Sequence, residues 1–560
     1  MLRRKFTSAI LAFAFLLPSA AFGQQTAGSG GAAAASPARA KIYAAPKETI
    51  DRIREEGLGR NSQVMQTLSY LTDVIGGRLT NSPSMKRANE WTRDKMKEWG
   101  LQNAQLVSWG PFGRGWSLKN FAAQLVEPQT VPVIAFPKAW SPSTKGAVTS
   151  EVVVFDAQTD ADFAKFKGQL RGKIVLVSPP RTLKALDRPL VSRYTDDELA
   201  KMASAPAPDP QADPNGFKPE QIRGFVGYFN QEARKMKFLI DEGAAVMIDN
   251  SGAGSGGTIF VQGAGLAIEL SPNIKSIEEL FSEPGFQPQL KEAESKMLPQ
   301  LTMATEDYNR LVRMIGQGVK PKMTVDLQAQ YHDEDQMGYN TVAEIPGTDP
   351  QLKAEVVMLG GHLDSWHAST GATDNAAGCA VAMEAARIIL ASGLKPRRTI
   401  RVALWSGEEQ GLYGSAAYVR QQFGEMKNGA LAKAANYDKL SAYYNLDNGT
   451  GKIRGIYLQG NAAVKPIFEA WLAPFNDLGA RTVTLANTGG TDHLPFDAIG
   501  IPGFQFIQDE IEYDTRTHHS NQDNYDRVQA EDMKQAATVL AAFVYQTAMM
   551  DEKLPRKAVR

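Results

Sequence analysis

From about residue 340 onward, short apolar runs alternate with amphipathic segments of helical length. This alternation predicts an α/β fold, in which a layered sheet carries helices on both faces. Such a sheet has its reactive crevice at the carboxyl ends of its strands. The predicted strands are 355–360, 399–405, 442–446, 453–459 and 502–507, and the predicted helices are 375–391, 412–422, 463–475 and 530–549.

Upstream of this region the sequence changes character twice. Residues 47–101 show helical periodicity, and Ser84 is predicted to cap a helix that ends near Gly100. Between about 130 and 325, short β-rich runs are separated by Gly and Pro. A chain of 560 residues exceeds one ordinary core, so at least two packing units are expected. The β-rich runs are 151–155, 173–177 and 244–248.

The amino terminus has the pattern of a secretory signal. Residues 1–23 combine a basic start, an apolar stretch at 10–17 and a small-x-small cleavage site at 21–23. The apolar stretch is too short to span a bilayer, so no stable membrane anchor is expected after cleavage. Residues 24–45 are rich in Gly, Ala and Ser and are predicted to be a flexible leader. The pattern predicts an exported protein, periplasmic or secreted.

The charge balance and the cysteine content argue against several classes of function. The chain has 61 basic and 61 acidic residues, so it lacks the excess of positive charge that is typical of nucleic-acid-binding proteins. Its single cysteine, Cys379, cannot form a disulfide within the chain. The apolar helical setting of Cys379 predicts a small buried side chain and no nucleophilic role.

Metal-ligating side chains follow the predicted strands of the second part. Because neighbouring strand ends meet at one edge of a sheet, we expect these side chains to lie together. Two His, two Asp and one Glu suit two zinc-like ions, with one carboxylate shared between them. One member of an adjacent Glu pair could bind metal while the other handles the proton of a water. The residues concerned are His362, Asp364, Asp374, Glu408, Glu409, Asp447, His518, His519 and Asp523.

Each of these motifs alone also has an ordinary interpretation. A His-x-Asp is more often a simple hydrogen-bonded pair, and an adjacent Glu-Glu is more often a solvated helix start. The metal site is predicted because five matches occur in order, each after a strand. Outside this set, His332 is expected to be solvated, and His367 is expected at the pocket rim or without a role.

Six motifs in this region resemble the M28 metallopeptidases: GGHLDSW, GATDNAAG, SGEEQGLYGS, NLDNGTG, GGTDHLPF and HHSNQD. The residue sequences of these motifs are most similar to those of the carboxypeptidase Q (plasma glutamate carboxypeptidase) branch. The resemblance implies a three-layer αβα phosphorylase/hydrolase-like catalytic domain with a mixed sheet, interrupted by a β-rich protease-associated (PA) domain. The implied domains are 46–130 and 326–552 for the catalytic part and 131–325 for the insert.

The resemblance also implies a role for each site residue. His362 and Asp447 would bind one zinc ion, Glu409 and His519 the other, and Asp374 would bridge them. Glu408 matches the general base, and Asp364 matches the residue that orients His362 through its second ring nitrogen. The family spacing His-Ser/Thr-x-x-Asp selects His519, with Asp523 completing it. Asp492 and His493 fall in a pocket motif with a substrate-side or structural role, and His518 would line the pocket or orient a neighbour.

These roles predict an exported di-zinc exopeptidase acting on short peptides, as an aminopeptidase or dipeptidase. Three further functions stay open: a carboxypeptidase-type specificity, a single-zinc glutaminyl cyclase, and a non-catalytic receptor-like scaffold. No nucleic-acid partner is expected, and the dimers found among relatives make a homodimer a further expectation.

Overall fold

The computed structural model describes residues 42–209 and 215–557. The predicted signal peptide at 1–23 lies outside the described residues, and so does the predicted leader except for 42–45. The described residues form two eight-stranded sheets. We call 42–111 with 337–557 the first unit, and 115–332, which supplies the strands of the second sheet, the second unit.

The first sheet is mixed, as predicted. Its four central strands, β12 (Thr399–Trp405), β11 (Val356–His362), β15 (Leu440–Asn445) and β18 (Gly503–Gln508), are parallel to one another, so their carboxyl ends lie at one edge. In spatial order the strands are β1 (Gln102–Pro111), β10 (Met337–Ile345), β12 (Thr399–Trp405), β11 (Val356–His362), β15 (Leu440–Asn445), β18 (Gly503–Gln508), β16 (Ile453–Tyr457) and β17 (Thr482–Thr484).

The second sheet belongs to the second unit. In spatial order its strands are β3 (Val131–Pro132), β2 (Gly115–Glu127), β9 (Lys322–His332), β5 (Val148–Val154), β6 (Ile174–Leu176), β7 (Val246–Asn250), β8 (Gln300–Met303) and β4 (Ala135–Pro137). A separate hairpin in the first unit pairs β13 (Gly424–Lys427) with β14 (Ala430–Lys433).

Thirteen α-helices occur in the described part of the chain. They are α1 (Lys47–Leu58), α2 (Val64–Ser69), α3 (Pro83–Glu98), α4 (Asp160–Phe166), α5 (Asp196–Ala203), α6 (Pro219–Glu242), α7 (Ile277–Ser282), α8 (Thr305–Gly316), α9 (Ala377–Ala391), α10 (Tyr413–Gln422), α11 (Lys465–Leu472), α12 (Leu494–Ala498) and α13 (Ala530–Met549). Among them, none is both long enough and apolar enough to cross a membrane.

Strand β11 explains why the first sheet is covered on both faces. Side chains of a strand alternate between faces, and here both sets are apolar. Val357 and Leu359 enter the core shared with α1, α9 and α13, while Val356 and Met358 enter the core shared with α10 and α12. A strand buried on both faces needs helices on both sides. The three-layer α/β fold predicted from the sequence is confirmed.

Most predicted elements of this unit are present with small shifts at their ends. The strand at 399–405 and the helix at 530–549 have the predicted bounds. The prediction of Ser84 as a helix cap is wrong. Pro83 occupies the first turn of α3, and the Ser82 hydroxyl accepts a hydrogen bond from the Met85 N–H, so Ser82 is the cap. Cys379 is fully buried, as predicted.

The second sheet contains two long strands that the sequence analysis missed. β2 and β9 pair with each other along most of their length. β2 is only partly buried and its apolar pattern is weak, whereas β9 buries Met323, Val325 and Leu327 in alternation, a period-two signal that could have indicated it. The sequence analysis placed residues 115–130 in the first domain, but their strands hydrogen-bond within the second sheet.

A segment of the second unit also docks onto the first unit. Arg193 forms ion pairs with Asp509 at 2.9 Å and with Asp532 at 2.7 Å. Beside it, Ser192 forms an isolated backbone bridge with Ile511. These contacts hold the chain that leaves β18 and leads toward the histidines at 518 and 519.

The core beneath the first sheet supports a stability prediction. Phe543 is fully buried against Phe468 and Phe506, with ring centroids 5.4 Å away in each case. Replacing Phe543 with Ala should lower the free energy of unfolding by about 3–5 kcal/mol because it leaves a cavity. Urea unfolding measures this. Tyr70→Ala, at a side chain 39% exposed, is the control and should cost at most about 1.5 kcal/mol. Equal losses would contradict the packing described.

Candidate active site

Four strand ends bring the predicted ligands to one edge of the first sheet. His362 is the last residue of β11, and Glu408 and Glu409 follow β12 after a short turn. Asp447 follows β15, and His519 lies on the long loop after β18. Because these four strands are parallel neighbours, the chain delivers all of these side chains to one place.

The first cluster forms around the Nε2 atom of His362. This atom lies 3.2 Å from Asp374 Oδ1 and 3.5 Å from Asp447 Oδ1. The nearest oxygen of Glu408 is 3.9 Å away. His362, Asp374 and Asp447 are all buried. The structure thus brings together the three residues that the resemblance assigned to one metal ion.

The second cluster forms around the Nε2 atom of His519. Glu409 Oε2 lies 2.9 Å away and Asp374 Oδ2 lies 3.3 Å away. His518 is farther from Asp374, at 3.8 Å. The geometry therefore favours His519 over His518 as the residue that faces Glu409.

Asp374 lies between the two clusters, with one oxygen toward each histidine. Its backbone is held by Asp523, whose carboxylate accepts hydrogen bonds from Thr373 N at 2.6 Å and Asp374 N at 3.1 Å. Asp523 is buried, and burial raises its pKa to about 7. The sequence prediction that Asp523 completes the site therefore has a physical basis, namely the placement of the central carboxylate.

His362 is oriented by Asp364, but through a different atom from the one expected. The Nδ1 atom of His362 lies 3.0 Å from the backbone carbonyl oxygen of Asp364 and 3.7 Å from its carboxylate. The carboxylate instead accepts hydrogen bonds from the Thr80 hydroxyl at 2.8 Å and from the backbone N–H groups of Glu408 and Glu409. Asp364 thus fixes both His362 and the Glu-Glu turn.

The site concentrates buried charge. Burial raises the pKa of Glu408 well above its usual value and that of Glu409 to about 7. Burial works to lower the pKa of His519, but Glu409 and Asp374 raise it to about 10. Burial also works to raise the pKa of Asp374, but His362 and His519 hold it well below its usual value. So many buried carboxylates require positive charge nearby.

The donors present suit zinc, which prefers imidazole nitrogen and carboxylate oxygen among its ligands. Asp374 Oδ2 and Glu409 Oε1 are buried and accept no hydrogen bond from residues 42–209 and 215–557. Three overlapping groups each bring three donor atoms within 4.8 Å of one another. They are His362, Asp374 and Glu409; His362, Glu408 and Asp447; and Asp374, His518 and His519. By position alone, Glu408 and His518 are also within reach of a metal ion.

Two predicted pocket residues lie behind the site. Asp492 is fully buried, and its carboxylate accepts a hydrogen bond from the Ser415 hydroxyl. His493 is fully buried too, with its Nε2 3.1 Å from the Thr488 carbonyl oxygen. Neither lines the cavity above the site, which indicates the structural role for both. His518 does line that cavity and stacks on Tyr513.

Two more histidines depart from or refine their expected roles. His367 is partly buried, and its Nε2 lies 2.7 Å from the carbonyl oxygen of Pro137 in the second unit. It therefore joins the two units and does not lie at a pocket rim. His332 is partly buried, and its Nε2 lies 2.9 Å from the Ser117 hydroxyl, so it is not simply solvated.

Sequence reasoning missed several residues that build the site. Arg78 is fully buried and donates hydrogen bonds to the carbonyl oxygens of Leu363, Thr370 and Gly371, so it shapes the loop between two ligands. Gln262, from the second unit, contacts His519. The signal available for Arg78 was a lone charge beside apolar residues, whereas nothing local distinguishes Gln262.

A cavity of about 860 Å³ covers the site, and both units line it. The second unit contributes Phe281 and Phe286, and the first contributes Glu408, Glu409 and His519. Phe281 lies against the turn that follows the glutamates, because its carbonyl oxygen accepts a hydrogen bond from the Tyr413 hydroxyl at 3.1 Å. A cavity of this size and shared lining is typical of a small-molecule or short-peptide site.

Histidine and carboxylate ligands at the end of a mixed α/β sheet, beside a spare carboxylate, form the arrangement of a metal-dependent hydrolase. Residues 340–544 match the model of peptidase family M28. The chain is a metallo-exopeptidase.

Relatives extend the likeness over most of the chain. Carboxypeptidase Q of Mus musculus is 27% identical over 494 residues, which are 88% of this chain and 87% of that protein. Among solved structures, a peptidase M28 precursor from Shewanella amazonensis SB2B shares the fold with a TM-score of 0.61, at 22% identity over 91% of this chain and 98% of its own. BSAP, a zinc aminopeptidase from Bacillus subtilis, gives a TM-score of 0.50 at 19% identity, over 86% and 93% of the two chains.

Proposed function

We propose that this zinc exopeptidase holds two zinc ions and hydrolyses short peptides as an aminopeptidase or dipeptidase. The observation that carries the proposal is the position of Asp374, with one carboxylate oxygen toward His362 and the other toward His519. His362 and Asp447 would hold one ion, Glu409 and His519 the other, and Asp374 would contact both. Zinc bound there supplies Lewis acidity, which acidifies water and polarises a carbonyl group.

Glu408 is the proposed general base. Its carboxylate faces the first cluster from 3.9 Å, farther from His362 than either Asp374 or Asp447. Burial raises its pKa above the usual value. A carboxylate in this position could take a proton from water and return it to the leaving amine. Its neighbour Glu409 faces His519. Of the two adjacent carboxylates, Glu409 would therefore bind metal and Glu408 would transfer the proton.

The second unit is proposed to limit substrate length. It is proposed as the PA domain, with bounds moved from 131–325 to about 115–332 to follow the sheet pairing. Asn215 of this unit bonds to Glu278 at 2.6 Å and accepts a hydrogen bond from Gly490 N at 2.8 Å, so the unit reaches across the cavity. A roof of this kind favours peptides of a few residues. Export through residues 1–23 and a homodimer belong to the same proposal.

The end of the peptide that is recognised can be tested with matched substrates. A free α-amine suits the buried carboxylates of the site, so acetylation of the amine should lower kcat/KM at least about 100-fold. Amidation of the carboxyl end should have a smaller effect. The assay uses one peptide in free, acetylated and amidated forms, with zinc counted in the same sample. The opposite order of effects would favour a carboxypeptidase-type specificity.

A single-zinc cyclase and a receptor-like scaffold fit the described residues less well. The cyclase needs only one cluster, whereas both clusters here contain a histidine and carboxylates. The scaffold has no need for a buried carboxylate set with unpartnered oxygens. Counting bound zinc separates the three functions, because the proposed exopeptidase requires two ions, a cyclase one and a scaffold none.

A further inference from the structure

We propose that Gln262, from the second unit, is a positioning residue for the metal ligand His519. The amide nitrogen of Gln262 lies 2.9 Å from the Nδ1 atom of His519. The opposite ring nitrogen, Nε2, faces Glu409 and Asp374. The two nitrogens of one imidazole ring therefore face two different units of the protein. This inference rests on the zinc site of the proposed function.

The chemistry of histidine decides which group Gln262 must present. A neutral imidazole that binds metal through Nε2 carries its proton on Nδ1, so Nδ1 becomes a donor. It then requires an acceptor, and the side-chain amide of Gln262 supplies one when its carbonyl oxygen faces the ring. The two orientations of an amide differ by a half-turn, and the hydrogen-bond network decides between them. Such an outer contact fixes the tautomer and the direction of the ring.

The backbone around Gln262 is locked to the ligand loop. Val261 N donates a hydrogen bond to the carbonyl oxygen of His519 at 3.1 Å, and Phe260 forms a bridge with Ser520. Asn521 N in turn donates to the carbonyl oxygen of Ile259 at 3.1 Å. Residues 259–261 therefore pair with 519–521 as a short ladder. This pairing fixes the position of the Gln262 side chain relative to the imidazole ring of His519.

The far side of Gln262 is anchored inside its own unit. Its backbone carbonyl oxygen accepts a hydrogen bond from Ala139 N at 3.0 Å, next to the bridge between Ala139 and Gly263. Gln262 is thus fixed between the second unit and the ligand loop. A movement of the second unit would move the partner of Nδ1.

His362 and His519 differ in which part of the protein orients their rings. His362 is oriented by the backbone of Asp364, two residues along the same loop. His519 is oriented by a residue 257 positions away, in the other unit. The orientation of His519 therefore depends directly on how the two units dock. The second unit is then part of the metal centre as well as a roof over the substrate.

The test compares zinc binding by three full-length variants. Gln262→Leu removes the acceptor at similar size, Gln262→Glu keeps an acceptor, and Gln231→Leu is the control. Gln231 lines the same cavity, but its amide bonds to the backbone of Gln158 at 3.2 Å.

Competition against a chromophoric zinc chelator measures the affinity of each zinc equivalent. We expect Q262L to weaken one equivalent by about 10–100-fold and to leave the other unchanged. Q262E and Q231L should bind both equivalents at least as tightly as the parent chain.

The outcomes separate this inference from the proposed function. If the parent chain binds fewer than two zinc ions, the proposed function fails. If it binds two and Q262L holds both as tightly, only the role of Gln262 is overturned. A loss in Q262E as large as that in Q262L, or an equal loss of both equivalents in Q262L, would also overturn it. Should Q262L fold poorly, the affinities of Q262E still decide between positioning and a merely structural contact.

Discussion

Replacing Glu408 with Gln should lower kcat by about 10²–10⁴-fold and leave two zinc ions per chain. The amide has nearly the same shape as the carboxylate but cannot take a proton from water. Glu408 lies 3.9 Å from His362 Nε2, whereas Glu409 lies 2.9 Å from His519 Nε2, so the two neighbours should respond differently. Steady-state kinetics and metal analysis of the same purified sample give both quantities.

Two matched variants make this result specific. Glu409→Gln should lose zinc from the His519 cluster, and so separates a ligand from a base. Glu278→Gln changes a cavity-lining carboxylate of the second unit that bonds to Asn215, and it should keep both zinc ions and most of the activity. Near-parental kcat in E408Q would remove Glu408 as the base. Loss of zinc in E408Q would make it a ligand, a position that its distance from the first cluster also permits.

Replacing Asp374 with Asn should weaken both zinc equivalents, each by at least roughly 100-fold, because a direct ligand should cost at least as much as an outer partner. One carboxylate oxygen faces His362 at 3.2 Å and the other faces His519 at 3.3 Å. The amide keeps one oxygen but loses the charge that both ions would share. Chelator competition on the full-length chain measures the two affinities.

Asp447→Asn is the control for this prediction. Asp447 lies 3.5 Å from His362 Nε2 and belongs to the first cluster alone, so its replacement should weaken one equivalent and spare the other. If D374N also lost only one equivalent, Asp374 would belong to a single cluster and the shared-ligand arrangement would be wrong. The difference between the two variants distinguishes a shared ligand from an ordinary one.

Much of the fold of the first unit could be predicted because its signals are local. β11 is apolar on both faces, so its run is unbroken and readable, and α13 is a long apolar helix with the predicted bounds. The long strand β2 escaped prediction because it is half-exposed and has no regular apolar alternation, whereas the alternation of Met323, Val325 and Leu327 in β9 was available. Their pairing joins residues about 200 positions apart, so no local pattern indicates that the two strands are neighbours.

The candidate ligands also had a local signal, because each follows a strand. Their partners had none. Thr80 reaches Asp364 from 284 positions away, and Gln262 reaches His519 from 257. Even within one motif, sequence spacing selected Asp364 as the partner of His362 but did not reveal that its backbone, and not its carboxylate, makes the closer contact.

The sequence by itself determined the layered α/β fold, the five candidate ligands and the candidate base. Strand ends and ligand types can both be identified from short stretches of consecutive residues. Only the tertiary structure decided how those residues are held. It placed Asp374 between two histidines, gave Asp364 its two tasks, and brought Gln262 of the second unit to the ring of His519. The physical reason is that ligand identity depends on side-chain chemistry, whereas ligand orientation depends on contacts between segments that lie far apart in the chain.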